Sequence, residues 1–174
     1  VQVSGIYRRI EWEDLNDAQF DLTGSANGWG INVSTNLKIQ KDTVRASVVH
    51  GEGIQNYMND APVDVAAETD AGAPGGFKGK AVPMIAMSAF YDITWNPKWT
   101  STVGYSMIDN DTMSGQGPTA FQTGSYALGN LMFYPVPNVM MGGELQWGQR
   151  ENKGGFTSDD LRVQFSAKYN FNLT

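Results

Sequence analysis

Six long basic side chains in this 174-residue chain, Arg8, Lys38, Arg45, Arg150, Arg162 and Lys168, fall at positions that alternate with apolar residues. If each stretch is a strand, all six project from its polar face, because successive side chains of a strand point to opposite sides. Basic residues on the wall of an aqueous passage favour anions, since a guanidinium replaces part of an anion's hydration and offers paired donors. Arg8, Arg45 and Arg162 are the leading candidates. Arg8 and Arg162 are expected near mid-height, with Lys38, Arg45 and Lys168 nearer the short turns. The competing reading is structural: these charges pair with Asp92 and Glu144 on the same face and stiffen a wall.

Other chemistry finds little support. A Ser-His-acid array must rest on the single histidine, His50, which shares parity with Val44, Ala46 and Val48 and so belongs to the apolar face. Thiolate catalysis and cysteine-based metal sites are excluded because the chain has no cysteine. Asp60, Asp64, Glu68 and Asp70 lack the spacing and closing glutamate of a calcium loop and read as a solvated loop. Gly72-Ala73-Pro74-Gly75-Gly76 lacks the Lys-Ser/Thr pair of a phosphate-binding loop. No enzyme, cofactor or metal is expected. The net charge of -6 argues against a nucleic-acid partner, which calls for a basic footprint.

The elements that position these residues are strands. Leu161, Val163, Phe165, Ala167, Tyr169 and Phe171 lie on one face, and Arg162, Gln164, Ser166, Lys168 and Asn170 on the other. That stretch matches the roughly 9–11 residues a tilted strand needs to cross a bilayer. The same alternation runs through Trp29–Ile39, Ile85–Trp95, Trp99–Met107 and Val139–Trp147, although Met84 and Phe90 interrupt the polar side of one strand. Weaker strands fall near 1–12, 43–57 and 121–135, which makes about eight. Tight turns at 40–42, 96–98 and 135–138 alternate with long links at 14–27, 58–82, 113–120 and 152–156. Short turns at one end and long loops at the other are the habit of outer-membrane barrels, whose short turns face the periplasm. Both termini then fall on the short-turn side.

A lipocalin-like barrel or a β-sandwich also alternates. Two features favour lipid outside. Trp95, Trp99, Tyr169 and Phe171 flank the short turns, whereas Trp29 and Trp147 lie towards the long links, which gives two aromatic girdles around an aliphatic band. The opposite face is rich in Asn, Ser, Thr, Gln and Gly with sparse charge, and this suits a wet interior better than a soluble exterior. The low mean hydropathy and the lack of any run of about 18 apolar residues exclude a spanning helix only. The start within a strand, at Val1, points to the later part of a longer chain. A closed eight-stranded barrel, filled by its own side chains and serving as an anchor or adhesin, is the alternative.

With the strands placed, the chain resembles the C-terminal half of the DcaP-like trimeric porins. The carriers are Ser4-Gly5-Ile6-Tyr7-Arg8-Arg9, Gly28-Trp29-Gly30-Ile31-Asn32, Arg45-Ala46-Ser47 and Val163-Gln164-Phe165-Ser166-Ala167-Lys168-Tyr169-Asn170-Phe171. The last also resembles the closing targeting signal of outer-membrane proteins, with Asn172-Leu173-Thr174 following its aromatic. The resemblance implies an all-β antiparallel transmembrane barrel of about 16 strands, of which this chain supplies the later half. It further implies passive diffusion of small polar solutes, a preference for anions such as dicarboxylates, and a homotrimer in outer-membrane lipid.

Overall fold

The computed structural model describes residues 1–15, 21–58, 61 and 63–171. Asp60 and the closing Asn172-Leu173-Thr174 lie outside them. Eight strands form one antiparallel meander: β1 (Gln2–Trp12), β2 (Gly24–Ile39), β3 (Asp42–Glu52), β6 (Pro83–Asn96), β7 (Trp99–Asn110), β8 (Phe121–Phe133), β9 (Val139–Asn152) and β10 (Thr157–Tyr169). Between β3 and β6 the chain makes a separate hairpin of β4 (Val65–Thr69) and β5 (Phe77–Ala81). No pairing joins β1 to β10, so the sheet is open with two edges.

Alternation dictates which side chains share a face, and register aligns them across strands. Trp147, for example, pairs with Leu161 on one side and Ala127 on the other, while the adjacent Gln146 pairs with Arg162 and Leu128. A single-residue slip would turn every apolar side chain of a strand inward, so the register is strongly specified. One face of the sheet carries Val33, Val48, Met87, Val103, Leu145 and Val163, all substantially exposed, and Phe165 is 83% exposed. A contiguous exposed apolar face of this kind marks a surface that meets lipid or another protein. The opposite face is concave, because Ser47 on β3 and Asp160 on β10 line one groove.

The expected ends of several elements shift. The strand expected at 43–57 stops at Glu52, and Gln55–Tyr57 is a 3-10 turn. Gly53 adopts φ +64 there, which turns the chain while its N–H donates to the Val82 carbonyl at 3.0 Å. The first long link is shorter than expected, because Trp12 pairs with Gly24 and Gly-Ser-Ala-Asn extends β2, whereas the link expected at 113–120 begins earlier, after Asn110. The Gly-Ser-Ala-Asn segment lacks apolar alternation, yet it pairs because the backbone supplies the bonds whatever the side chains. The loop at 58–82 contains the β4–β5 hairpin, which short Ala- and Lys-containing runs did not announce.

The hairpin is held against β2 by an aromatic wedge. The Trp12 ring lies over Gly24 and Gly79, and its Nε1 donates to the Leu22 carbonyl at 2.7 Å. A side chain at Gly79 would displace that ring. Gly79→Val is therefore expected to loosen the hairpin by about 1–3 kcal/mol, the usual cost of overpacking. A red shift of tryptophan emission and earlier proteolysis within 63–81 would register it, and unchanged emission would contradict it.

Candidate functional site

The concave wall is organised in rows that run across the strands. In one row Asn36, Arg45, Phe90, Gly104, Leu128, Gln146 and Arg162 are successive partners. Arg45 and Arg162 thus share a row, on β3 and β10. All six basic candidates lie on the concave parity: Arg8 pairs with Gly28, Lys38 with Thr43, Arg150 with Gly124 and Lys168 with Met140.

Their partners divide them. Arg45 Nη2 sits 2.6 Å from Asp92 Oδ2. Asp92 also accepts from Thr102 Oγ1 at 2.9 Å, and Asn130 Oδ1 accepts from the Thr102 amide at 2.7 Å. Asn130 Nδ2 then donates to Glu144 Oε2 at 3.1 Å, and Gln146 Nε2 donates to Glu144 Oε1. The result is a belt of linked polar side chains across β3, β6, β7, β8 and β9. Such a hydrogen-bonded network rigidifies its surroundings. The structural reading therefore holds for Arg45 with Asp92, whereas Glu144 takes amide partners rather than a cation. Arg162, Lys38 and Lys168 have no ion pair among the described residues. Arg150 donates to Asn152 Oδ1 at 2.9 Å, and its guanidinium stands 5.3 Å from the Phe121 ring centroid.

Arg8 is held by the long loop. Its Nη1 donates to Asn56 Oδ1 at 2.6 Å and to Asp64 Oδ2 at 3.0 Å, and its guanidinium stands 5.6 Å from the Tyr57 ring centroid. Asp64 Oδ1 in turn accepts from the Asn56 amide at 2.9 Å. Beside this clip, Gln55 is fully buried, and its Nε2 donates to the Val82 carbonyl at 2.7 Å and to Asn110 Oδ1 at 3.3 Å. Ile54 fills the space left above Gly30 and Gly51, where side chains would collide with it. Gly30, Gly51 and Arg8 face the concave side, so this loop folds inward over the wall. Met58 overhangs the groove that Ser47, Ser88 and Tyr126 line.

The loop acids are already engaged: Glu68 pairs with Lys80 and Asp70 with Lys78, each at 2.9 Å. Lys78 and the Gly72 amide hold the Asp70 carboxyl below its usual range, and Asp70 raises the Lys78 ammonium. A depressed carboxyl stabilises the hairpin above its unfolded pKa and loses that contribution as pH falls through the folded value. The raised lysine contributes below its unfolded pKa and stops contributing as pH rises through its folded value. The chemical shift of the Gly72 amide proton, which donates to Asp70 Oδ1 at 3.0 Å, is expected to report an Asp70 titration below the usual carboxylate range. A midpoint at the ordinary value would contradict the pairing. His50 faces the convex side, edge-on to Trp29 with centroids 5.6 Å apart, and its Nδ1 lies 3.2 Å from the Met84 carbonyl.

Parity put the six basic residues on one face, but their heights differ from expectation, because Arg45 and Arg162 share a row and Arg8 pairs with Gly28 at the long-loop end. Parity could not find Gln55, Thr102, Asn130 or Tyr126, whose roles depend on register and on the inward loop. Even-numbered Asp92, Thr102, Asn130 and Glu144 on four consecutive strands were the available signal.

The structural comparison returns one channel with the same fold as this meander. The fold is that of an outer-membrane channel. The chain is similar to the crystal structure of the outer membrane channel DcaP of Acinetobacter baumannii, with a TM-score of 0.78 at 18% sequence identity. The match covers 97% of this chain and 53% of that one, so the chain spans about half the length of the channel. No protein-family model matches the sequence, and no curated protein matches it.

Proposed function

We propose that the chain forms the later half of an outer-membrane porin through which small polar solutes diffuse passively, with anions such as dicarboxylates favoured. The observation that carries this reading is the concave wall, polar within and apolar without, with a loop folded over it. Arg162, Arg150, Lys38 and Lys168 carry charge on that wall without a salt-bridge partner among the described residues, and this supports anion preference. Arg45 and Arg8 contribute less free charge, because Asp92 and Asp64 offset them. The convex face meets lipid, with the short turns and both termini on the periplasmic side. The unpaired edges of β1 and β10 speak against a closed eight-stranded anchor. A homotrimer rests on the family resemblance alone.

Single-channel recording of the full-length protein, purified from its native membrane into a planar bilayer under a salt gradient, tests the proposal. Conductance steps with a reversal potential on the anion side support it, and steps in threes support the trimer. Inserted protein without conductance overturns it.

A further inference from the structure

Hydrogen-bonding capacity that the wall leaves unused marks where a solute makes contact. The belt from Asp92 to Gln146 is occupied with itself. One inward-facing row nearer the long loops, the partners run Gln2, Ser34, Ser47, Ser88, Ser106, Tyr126, Gly148 and Asp160. Four consecutive strands, β2, β3, β6 and β7, thus place a serine in the same row, and β8 adds a phenol. The hydroxyls of Ser34, Ser88, Ser106 and Tyr126 make no hydrogen bond among the described residues. Ser47 donates to Asn32 Oδ1 at 2.8 Å and keeps its acceptor capacity. A Cβ at Gly148 would meet nothing nearer than 3.9 Å, which leaves open space beside Tyr126.

Ser47, Ser88, Ser106, Tyr126 and Arg150 line a single groove of about 720 Å³ beneath Met58. A hydroxyl both donates and accepts and carries no net charge, so a row of hydroxyls does not separate anions from cations. It exchanges hydrogen bonds with hydroxyls of a solute, along strands spaced by about 4.8 Å. Arg150 adds a charged donor for a carboxylate at the same groove. A dicarboxylate accepts from the arginine and the hydroxyls but has no hydroxyl to donate, and the Asp160 carboxylate lining the same groove opposes its second charge.

On the reading of the chain as a porin, we propose that this groove favours solutes carrying one carboxylate and several hydroxyls, sugar acids as a class, over simple dicarboxylates. Ser88, Ser106 and Tyr126 are the residues that set this preference. The test is osmotic swelling of liposomes holding the full-length protein, with gluconate and succinate as probes and chloride conductance recorded in parallel. The variant Ser88→Ala/Ser106→Ala/Tyr126→Phe removes three hydroxyls without altering charge. It is expected to slow gluconate entry about fivefold, the scale of one net hydrogen bond, and to change succinate entry less than about twofold. The single change Tyr126→Phe, the mildest structurally, is expected to act in the same direction. Arg150→Gln is expected to slow both probes. Equal effects of the hydroxyl variants on gluconate and succinate, or none on either, overturn the proposal while conductance leaves the porin reading standing. Absence of chloride conductance in the unaltered protein overturns the porin reading itself.

Discussion

Excising residues 54–81 and joining β3 to β6 through an Asn-Gly turn is expected to raise single-channel conductance by about twofold or more, since the narrowest passage governs flow. The geometry permits the operation. Gly53 already bonds Val82 across the ends of β3 and β6, so the two strands can be closed by a two-residue hairpin of the kind Asn-Gly favours. The excision removes Asn56, Asp64 and Gln55 together, which frees Arg8 and leaves Asn110 one partner, the Gln122 carbonyl, at 3.3 Å. Conductance is then expected to rise and anion preference to strengthen, because Arg8 loses its carboxylate. Unchanged conductance in a protein that still shows heat-dependent gel mobility would place the loop clear of the passage.

The second large effect is expected from Arg162→Glu, which reverses a charge with no ion-pair partner among the described residues. Two unit charges about 4 Å apart interact by about 1 kcal/mol in water, so reversal shifts each ion at the site by about 2 kcal/mol, anions and cations in opposite directions. That corresponds to a change of roughly 30-fold in the occupancy of each ion. Reversal potentials under a salt gradient would record it as a swing towards cations. Arg45→Gln differs in kind, because it strips Asp92 of its cation and disturbs the belt through Thr102 and Asn130. It is expected to lower thermal stability as well as anion preference, whereas Arg162→Gln is expected to alter selectivity alone. Equal melting temperatures for the two glutamine variants would contradict this division.

Parity along single strands was legible throughout. Val163, Phe165 and Tyr169 against Arg162, Gln164 and Lys168 assigned both faces of β10 without any knowledge of its neighbours, because side-chain direction in a strand has a period of two. The same local rule put His50 on the apolar face and all six basic residues on the other. It fell short where polarity was uniform. Gly-Ser-Ala-Asn at the start of β2 has no contrast between its faces, and the end of β3 is set by Gly53 and the bond to Val82 rather than by pattern. The loop was legible at 58–82 as long and polar, but neither its start after Glu52 nor its direction was.

What the amino-acid order determined by itself is therefore the strand content, the division of each strand into a polar and an apolar face, and the alternation of short and long connections. Each of these follows from interactions within about ten residues. Only the tertiary structure decided which polar residues meet. Arg45 and Asp92 lie on β3 and β6, Asn130 and Glu144 on β8 and β9, and Arg8 reaches Asp64 across two strands and a loop. Such partnerships depend on register, which the backbone ladder sets, and on the inward fold of one loop, which Ile54 and Gln55 secure by filling a space that Gly30 and Gly51 leave open. A space of that kind exists only once three strands have come together, and no single stretch of sequence encodes it.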